Sequence, residues 1–406
     1  MLADRIRMCS YKGKGTLIDR TNPTLVVKLP YSTEGNGGRK LVRLANGWLI
    51  SVVYFSKTYY FYVSKNNGNS WYQICYLSPG TAYMVDKSNI SIASVGNTVF
   101  ILYKTTGNNE YVSFKQFNAE TVTNTNIGNS ATSLDTQTAV NNVSLAINKE
   151  GTELHACWSS KNSTYPNTLN IRYCKGIINV GGTVTWGSIE QVTFYNSSVA
   201  EYALGSELTI VVRNDGHPYI VASLTNPTVS YIQGFTTAFT AKNGTFSGYT
   251  KSNWGSSVIY QLAGYAQSSP SSCIDKYGVI HVVWFGGEST NPMQRVRYSK
   301  STNSGSTWST SMLLYDAWTE TKNPSITVNN NNEIFVVLEE SSNLKVYKSL
   351  NGTYWSKLDF NLYYGQSPST LLDNNFKFEL PLTITQIGQY SSTDPSTVKF
   401  FGKWDE

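Results

Sequence analysis

Six segments of this 406-residue chain share one pattern: an apolar run, a tight turn at Gly or Asn, and a second β-rich run. They read "LVRLANGWLISVVYF", "ISIASVGNTVFILYK", "VSLAINKEGTELHACW", "LTIVVRNDGHPYIVAS", "SSCIDKYGVIHVVWF" and "SITVNNNNEIFVVLEE". Their turn residues, Gly47, Gly96, Gly151, Gly216, Gly278 and Asn332, stand 49 to 65 residues apart. A unit of that length holds several short strands, and one small sheet cannot bury both faces alone. Copies stacked around an axis can do so. Six copies therefore predict an all-β, six-bladed β-propeller of four-stranded antiparallel blades, with the turn joining strands one and two of each blade. The repeats run over about residues 37–362 of a propeller spanning 23–406, and residues 1–22 form an N-terminal arm. "TLVVKLPY" (24–31) and "STVKFFGKW" (396–404) compete as the strand that closes the ring.

Composition agrees with strands: aromatics make up 13% of the chain, charged residues only 14%, and no amphipathic helical stripe is evident. The formal net charge of +6 is small for this length and no dense Lys/Arg block occurs, which argues against nucleic acid as a partner. The opening "MLADRIRMCSYKGKG" lacks the apolar core of a signal peptide, and no run approaches 18 apolar residues. Synthesis in the cytoplasm without membrane insertion is the expectation. Cys9, Cys75, Cys157, Cys174 and Cys273 show no metal-ligand spacing and are expected as thiols, most of them buried; neither a metal nor a cofactor is expected.

A second motif, SxNxGx(S/T)W, occurs twice: Ser64, Asn66, Gly68, Ser70 and Trp71, then Ser301, Asn303, Gly305, Thr307 and Trp308. Both copies follow a third β-run, which places them on turns between strands three and four. Ser and Asn can bond local backbone groups, Gly can take a positive φ, and Trp can plug the gap between sheets. Degenerate versions lie at "NGTYW", with Gly352 and Trp355, and near Trp186 and Trp254.

This motif resembles the Asp-box of the sialidase-like, BNR-repeat propellers, with Asn66 and Asn303 in place of the aspartate. The resemblance implies a site on the opposite face, among loops entering strand one and loops joining strands two and three. On that face stand Arg39, Lys57, Tyr59, Glu110, Lys161, Tyr165, Glu288, Arg295, Lys322, Glu339 and Glu340, which together would line a sugar-binding hollow. His155, His217 and His281 follow the strand-one turns, on the wrong face, and are expected to be structural.

Sialidase chemistry requires three arginines, a tyrosine nucleophile with a glutamate, and an acid/base aspartate. At the first arginine position the chain has Gly37, with Arg39 two residues later; at the tyrosine position it has Asn323 or Pro324; and "QYSS" around Tyr390 has no turn repeat after it. The expected function is thus non-catalytic binding of a cell-surface glycan. The alternative is a glycoside hydrolase or lyase acting on surface polysaccharide, with carboxylates among Glu110, Glu288, Glu339 and Glu340, assisted by Arg295. The N-terminal "ADRIRMCSYKGKGTLIDRTNPT" resembles the DR(V/I)xxxSxxxGxGTxxL opening of bacteriophage virion proteins, implying a phage tail or tail-like receptor-binding component that contacts other virion proteins.

Overall fold

The computed structural model describes residues 16–28, 32–35, 37–78, 84–106, 110–128, 131–137, 139–195, 203–225, 228–237, 253–288, 291–314, 321–341, 343–358, 365–372, 376–387 and 397–405. Every named element is a strand, and the strands form seven antiparallel sheets. Blades 1 to 6 span 41–77, 84–137, 139–191, 203–263, 267–313 and 321–358. Each is a meander of four strands, with one extra short pairing in blade 3.

The ring has seven blades where the turn repeats predict six. Strands Gln366–Thr370, Phe378–Ile387 and Thr397–Asp405 form a seventh sheet, whose outer strand is Leu17–Val27 from the other end of the chain. Both candidate closing segments take part, in one sheet, because Leu17 pairs with Asp405 and Val27 with Val398. The seventh blade escapes the repeat count because its strands are not contiguous in sequence, and Phe376 stands where blade 6 has its turn residue Asn332. Its core of Phe376, Phe378, Leu382, Ile384, Phe400, Phe401 and Trp404 packs with Val26 and Val27 on one side and Phe335 and Val337 of blade 6 on the other.

The Trp-bearing turns lie between strands three and four and hold neighbouring blades together. Trp71 packs on Phe400, Trp186 on Phe114, Trp254 on Tyr173, Trp308 on Tyr219 and Trp355 on Tyr298, each aromatic partner belonging to the preceding blade, at centroid separations of 4.9 to 5.9 Å. Trp71 and Trp308 are half-buried, lining the seam at its edge, and their indole N–H groups donate to Gly68 O and Gly305 O at 3.2 Å. In the second turn the Asn303 side chain accepts from the Thr307 amide at 2.9 Å and the Ser301 hydroxyl accepts from the Gly305 amide at 2.8 Å. Gly305 has a φ of 85°, and a Cβ there would stand 2.0 Å from the Tyr219 ring, so the partner aromatic fills the space a side chain would need.

Candidate functional site at the propeller axis

The inner strand of most blades presents a Ser or Thr near the axis just before an apolar run, at Ser91, Ser144, Thr209, Ser271, Ser325 and Ser369. These hydroxyls stitch the seams. Ser91 accepts from Leu145 N (3.1 Å), Ser144 from Ile210 N (3.3 Å), Ser271 from Ile326 N (3.3 Å), Ser325 from Thr370 N (3.1 Å) and Ser369 from Lys40 N (3.0 Å). Thr209 meets Ser272 at 3.2 Å, and the Ile92 amide donates to Arg39 O at 2.8 Å, so all seven seams carry a bond at the axis. In blades 3, 5, 6 and 7 a bulge precedes this position, with Asn142, Ser269, Asn323 and Ser367 at φ near 50°.

Blade 1 differs: Arg39 takes the girdle position, and its side chain crosses to the far blades. Its Nη1 donates to Ser325 Oγ and Thr370 Oγ1 at 2.9 Å, and its Nη2 donates to Ser272 O and Ile326 O at 2.8 Å. Blades 5, 6 and 7 are thereby joined to blade 1 by one guanidinium. The preceding glycines fit between the others: a Cβ on Gly37 would lie 1.8 Å from Leu208 O, and one on Gly38 would lie 2.1 Å from Ile90 O, while Ser144 Oγ donates to Gly37 O at 2.7 Å. "GGRK" thus plugs the axis. Burial holds the Arg39 pKa down to about 10, and no carboxylate among the described residues pairs with it. Lys40, also buried, donates from Nζ to Gly35 O and Gly38 O at 2.5 and 3.1 Å; burial lowers its pKa to about 8 against the attraction of Glu207 and Glu34.

The residues expected to line a sugar hollow are spread over five blades. Arg39 is the axial brace just described. Tyr59 is fully buried and donates to Asn89 O at 3.1 Å. Lys57 sits exposed at the tip of a hairpin with positive φ at Ser56 and Lys57. Glu110 pairs with Lys104 at 3.0 Å and also accepts from the Val140 amide. Lys161 ends the second strand of blade 3, and Tyr165 is buried in the loop that follows it. Arg295 is buried opposite Gly286 in blade 5. Glu288 pairs through its backbone with Asn291, and its side chain, like Tyr390, lies outside the described residues. Lys322 approaches Glu339 at 3.5 Å, and Asn323 donates to the same carboxylate at 2.9 Å. Glu340 follows Glu339 on one strand, so the two point to opposite faces; Glu340 pairs with Lys345 at 3.5 Å. A polar group with no sequence signal is Asp135, which accepts from Trp158 Nε1 (2.8 Å), Arg172 (3.0 Å) and Gln137 (2.7 Å).

His155 and His281 occupy equivalent buried positions, with Nδ1 2.7 Å from the hydroxyls of Tyr173 and Tyr298. His155 Nε2 lies 3.4 Å from Glu153, but that carboxylate is already bound by Lys175 at 3.0 Å, and burial prevails, lowering the His155 pKa to about 4. Lys175 and His217 push the same way. The pKa of His281 is lowered too, again by burial, against the pull of Asp275. An unfolded histidine titrates near pH 6.5, so below that pH the unfolded chain binds more protons than the fold. The His155 contribution to stability is expected to be level above pH 6.5 and to fall by about 3 kcal/mol as pH drops toward 4, with His281 adding a loss of the same sign. Urea unfolding at several pH values checks this, because His155→Gln should remove part of the acid sensitivity. Identical pH profiles for the two proteins would contradict it. Cys75, Cys157, Cys174 and Cys273 are buried free thiols; Cys9 lies outside the described residues. No described helix is long and apolar enough to cross a membrane.

No family model matches the sequence, and no curated protein matches it. Solved structures do share its fold. An α-L-arabinanase of Penicillium chrysogenum, complexed with arabinobiose, superposes with a TM-score of 0.51 at 10% identity, over 95% of this chain and 98% of its own. The polysaccharide lyase Uly1 gives 0.54 at 8% identity, over 96% and 97%. A Trypanosoma rangeli sialidase gives 0.48 at 10% identity, over 94% of this chain and 59% of its own, too slight a likeness to argue from. At such identities the likenesses establish the fold alone.

Proposed function

We propose that the chain is a carbohydrate-binding propeller without glycosidase chemistry, carried in several copies on a phage tail or tail-like particle, with residues before Leu17 serving as the docking arm. The observation that carries this reading is how fully the described carboxylates of the loop-bearing face are paired. Glu110 is held by Lys104, Glu339 by Lys322 and Asn323, Glu340 by Lys345, and Asp135 by Arg172. The axial arginine has all four Nη hydrogens engaged in the fold, leaving none to grip a substrate carboxylate. Glycosidases need two carboxyl groups flanking one bond, about 5 to 9.5 Å apart, and Glu339 and Glu340 point away from each other. The fold neighbours favour the carbohydrate part of this reading only, since one, an arabinanase, was solved with arabinobiose and another is a polysaccharide lyase.

A shallow polar face predicts weak single-site affinity, on the order of millimolar, raised about 10² to 10⁴ by arraying copies. Glycan-array binding by monomeric and streptavidin-arrayed protein should show the difference, and Lys57→Ala with Lys322→Ala, both at exposed positions, should reduce the arrayed signal. Assays for reducing ends and for unsaturated products run alongside. Polysaccharide cleavage that disappears in Glu339→Gln would establish the enzyme reading instead.

A further inference from the structure

Each of the two buried histidines stands behind a Trp-bearing turn of the next blade. His155 is bonded to the Tyr173 hydroxyl and His281 to the Tyr298 hydroxyl, and on these two rings Trp254 of blade 4 and Trp355 of blade 6 pack edge to face, at centroid separations of 5.2 and 4.9 Å. A Cβ on Gly352 would lie 2.0 Å from Tyr298 Oη, so the turn of blade 6 rests directly on the hydrogen-bonded group. The other three tryptophans rest on rings that no described histidine bonds. Trp71 and Trp186 pack on Phe400 and Phe114, and Trp308 packs on Tyr219, whose hydroxyl meets Ser257 Oγ at 2.9 Å. Nε2 of His155 faces Glu153 at 3.4 Å and Nε2 of His281 faces Asp275 at 3.5 Å. A carboxylate there keeps the ring proton on Nε2 and leaves Nδ1 to accept from the tyrosine. Protonation turns Nδ1 into a donor, and among the described residues neither tyrosine hydroxyl has a second acceptor.

We propose that these tyrosine–histidine pairs make two of the seven seams release in mild acid, freeing the Trp254 and Trp355 turns while the other three Trp-bearing turns stay seated. Opening lets water reach the ring, and a hydrated imidazole takes up its proton near pH 6.5, whereas burial resists the charge in the closed seam. Acid therefore favours the open form. The groups around each ring do not cancel this preference. His155 faces Glu153 on its own strand, Lys175 on the neighbouring strand and His217 from blade 4, and the last two oppose the carboxylate. His281 faces Asp275, with Lys300 opposing it and the Cys273 thiol opposite on the inner strand. The axis holds while the rim opens, because the bonds from Ile210 N to Ser144 Oγ and from Ile326 N to Ser271 Oγ involve no titrating group. The two seams, between blades 3 and 4 and between blades 5 and 6, bracket blades 4 and 5, so acid turns that pair into a hinged sector of the ring. The device lies in the seams and stands or falls independently of glycan binding.

Hydrogen exchange of the full chain, followed by mass spectrometry at pH 7 and pH 5 with the intrinsic rates divided out, reads each seam separately. Opening around Trp254 is expected to rise about 20-fold, the effect of one ring titrating at about 4 when closed and near 6.5 when open. Opening around Trp355 should rise too. Exchange around Trp71, Trp186 and Trp308 should change little, and this contrast within the wild-type chain needs no variant. His155→Gln, which keeps a side chain able to bond Tyr173, should abolish the rise at Trp254 and spare that at Trp355. His281→Gln should do the reverse, so each variant carries its own control for folding. An equal rise at all five turns means that the ring unfolds as a whole, and overturns the proposal. A rise at Trp254 and Trp355 that persists in both variants also overturns it, passing the role to two carboxylates of the same seams: Glu190, which accepts from Trp254 Nε1 at 3.0 Å, and Asp275, which accepts from Asn332 at 2.9 Å.

Discussion

Replacing Arg39 with Ala is expected to lower the unfolding free energy by about 3 to 5 kcal/mol, the largest effect of any single substitution considered. The side chain makes four hydrogen bonds across the axis, to Ser325, Thr370, Ser272 and Ile326, and its removal leaves two buried carbonyls without a donor. It also opens a void where four blades meet. Arg39→Lys should rescue little, since one ammonium cannot reproduce the planar fork that reaches three blades at once. Urea unfolding of the two variants measures this directly. A loss below about 1 kcal/mol for Ala would show that the seam hydroxyls alone hold the ring.

Truncation before Lys28 should be at least as damaging. It removes the outer strand of blade 7, with the ladder from Leu17 and Asp405 to Val27 and Val398, and the buried Val26 and Val27. At roughly 1.5 to 3 kcal/mol for each buried side chain, the loss is on the order of 5 kcal/mol before the ladder is counted. It also bares a sheet edge prone to pairing with other molecules. A chain beginning at Thr16 should melt like the whole protein, whereas one beginning at Lys28 should melt lower and aggregate. Equal melting of the two would mean that blade 7 closes without its fourth strand.

Six of the seven blades were legible because their signal is local. A turn glycine between two apolar runs fixes a hairpin whatever lies around it, and an Asn, a Gly and a Trp at fixed spacing fix the turn that meets the preceding blade. The histidines were legible for the same reason, since matching positions in two copies marked them as architecture. The seventh blade was hidden because its sheet joins residues from both ends of the chain, yet "SPSTLL" repeats the "NPSITV" and "SPSSCI" of blades 6 and 5, which could have revealed its inner strand. Arg39 was misplaced onto the loop-bearing face because a Gly-rich stretch before a strand reads as a loop. Only the convergence of seven inner strands shows that its neighbours are other blades. Glu339 and Glu340 illustrate a different limit: both stood among the four candidate carboxylates, while strand alternation sends them to opposite faces.

The seventh sheet also sets a schedule. Leu17 and its partner Asp405 are 388 residues apart, 405 less 17, and at about 5 to 20 residues per second a ribosome needs roughly 20 to 80 s to travel between them. For all that time the first strand has no sheet to join, while blades assembled behind it offer fresh edges. Its sequence discourages an early match: Pro23 interrupts the donors along "LIDRTNPTLVV", the pairing skips register between Arg20 and Thr24, and its first half is largely polar. During synthesis, closure of the ring therefore waits for Thr397–Asp405 to emerge, a race between one patient strand and every wrong edge it passes.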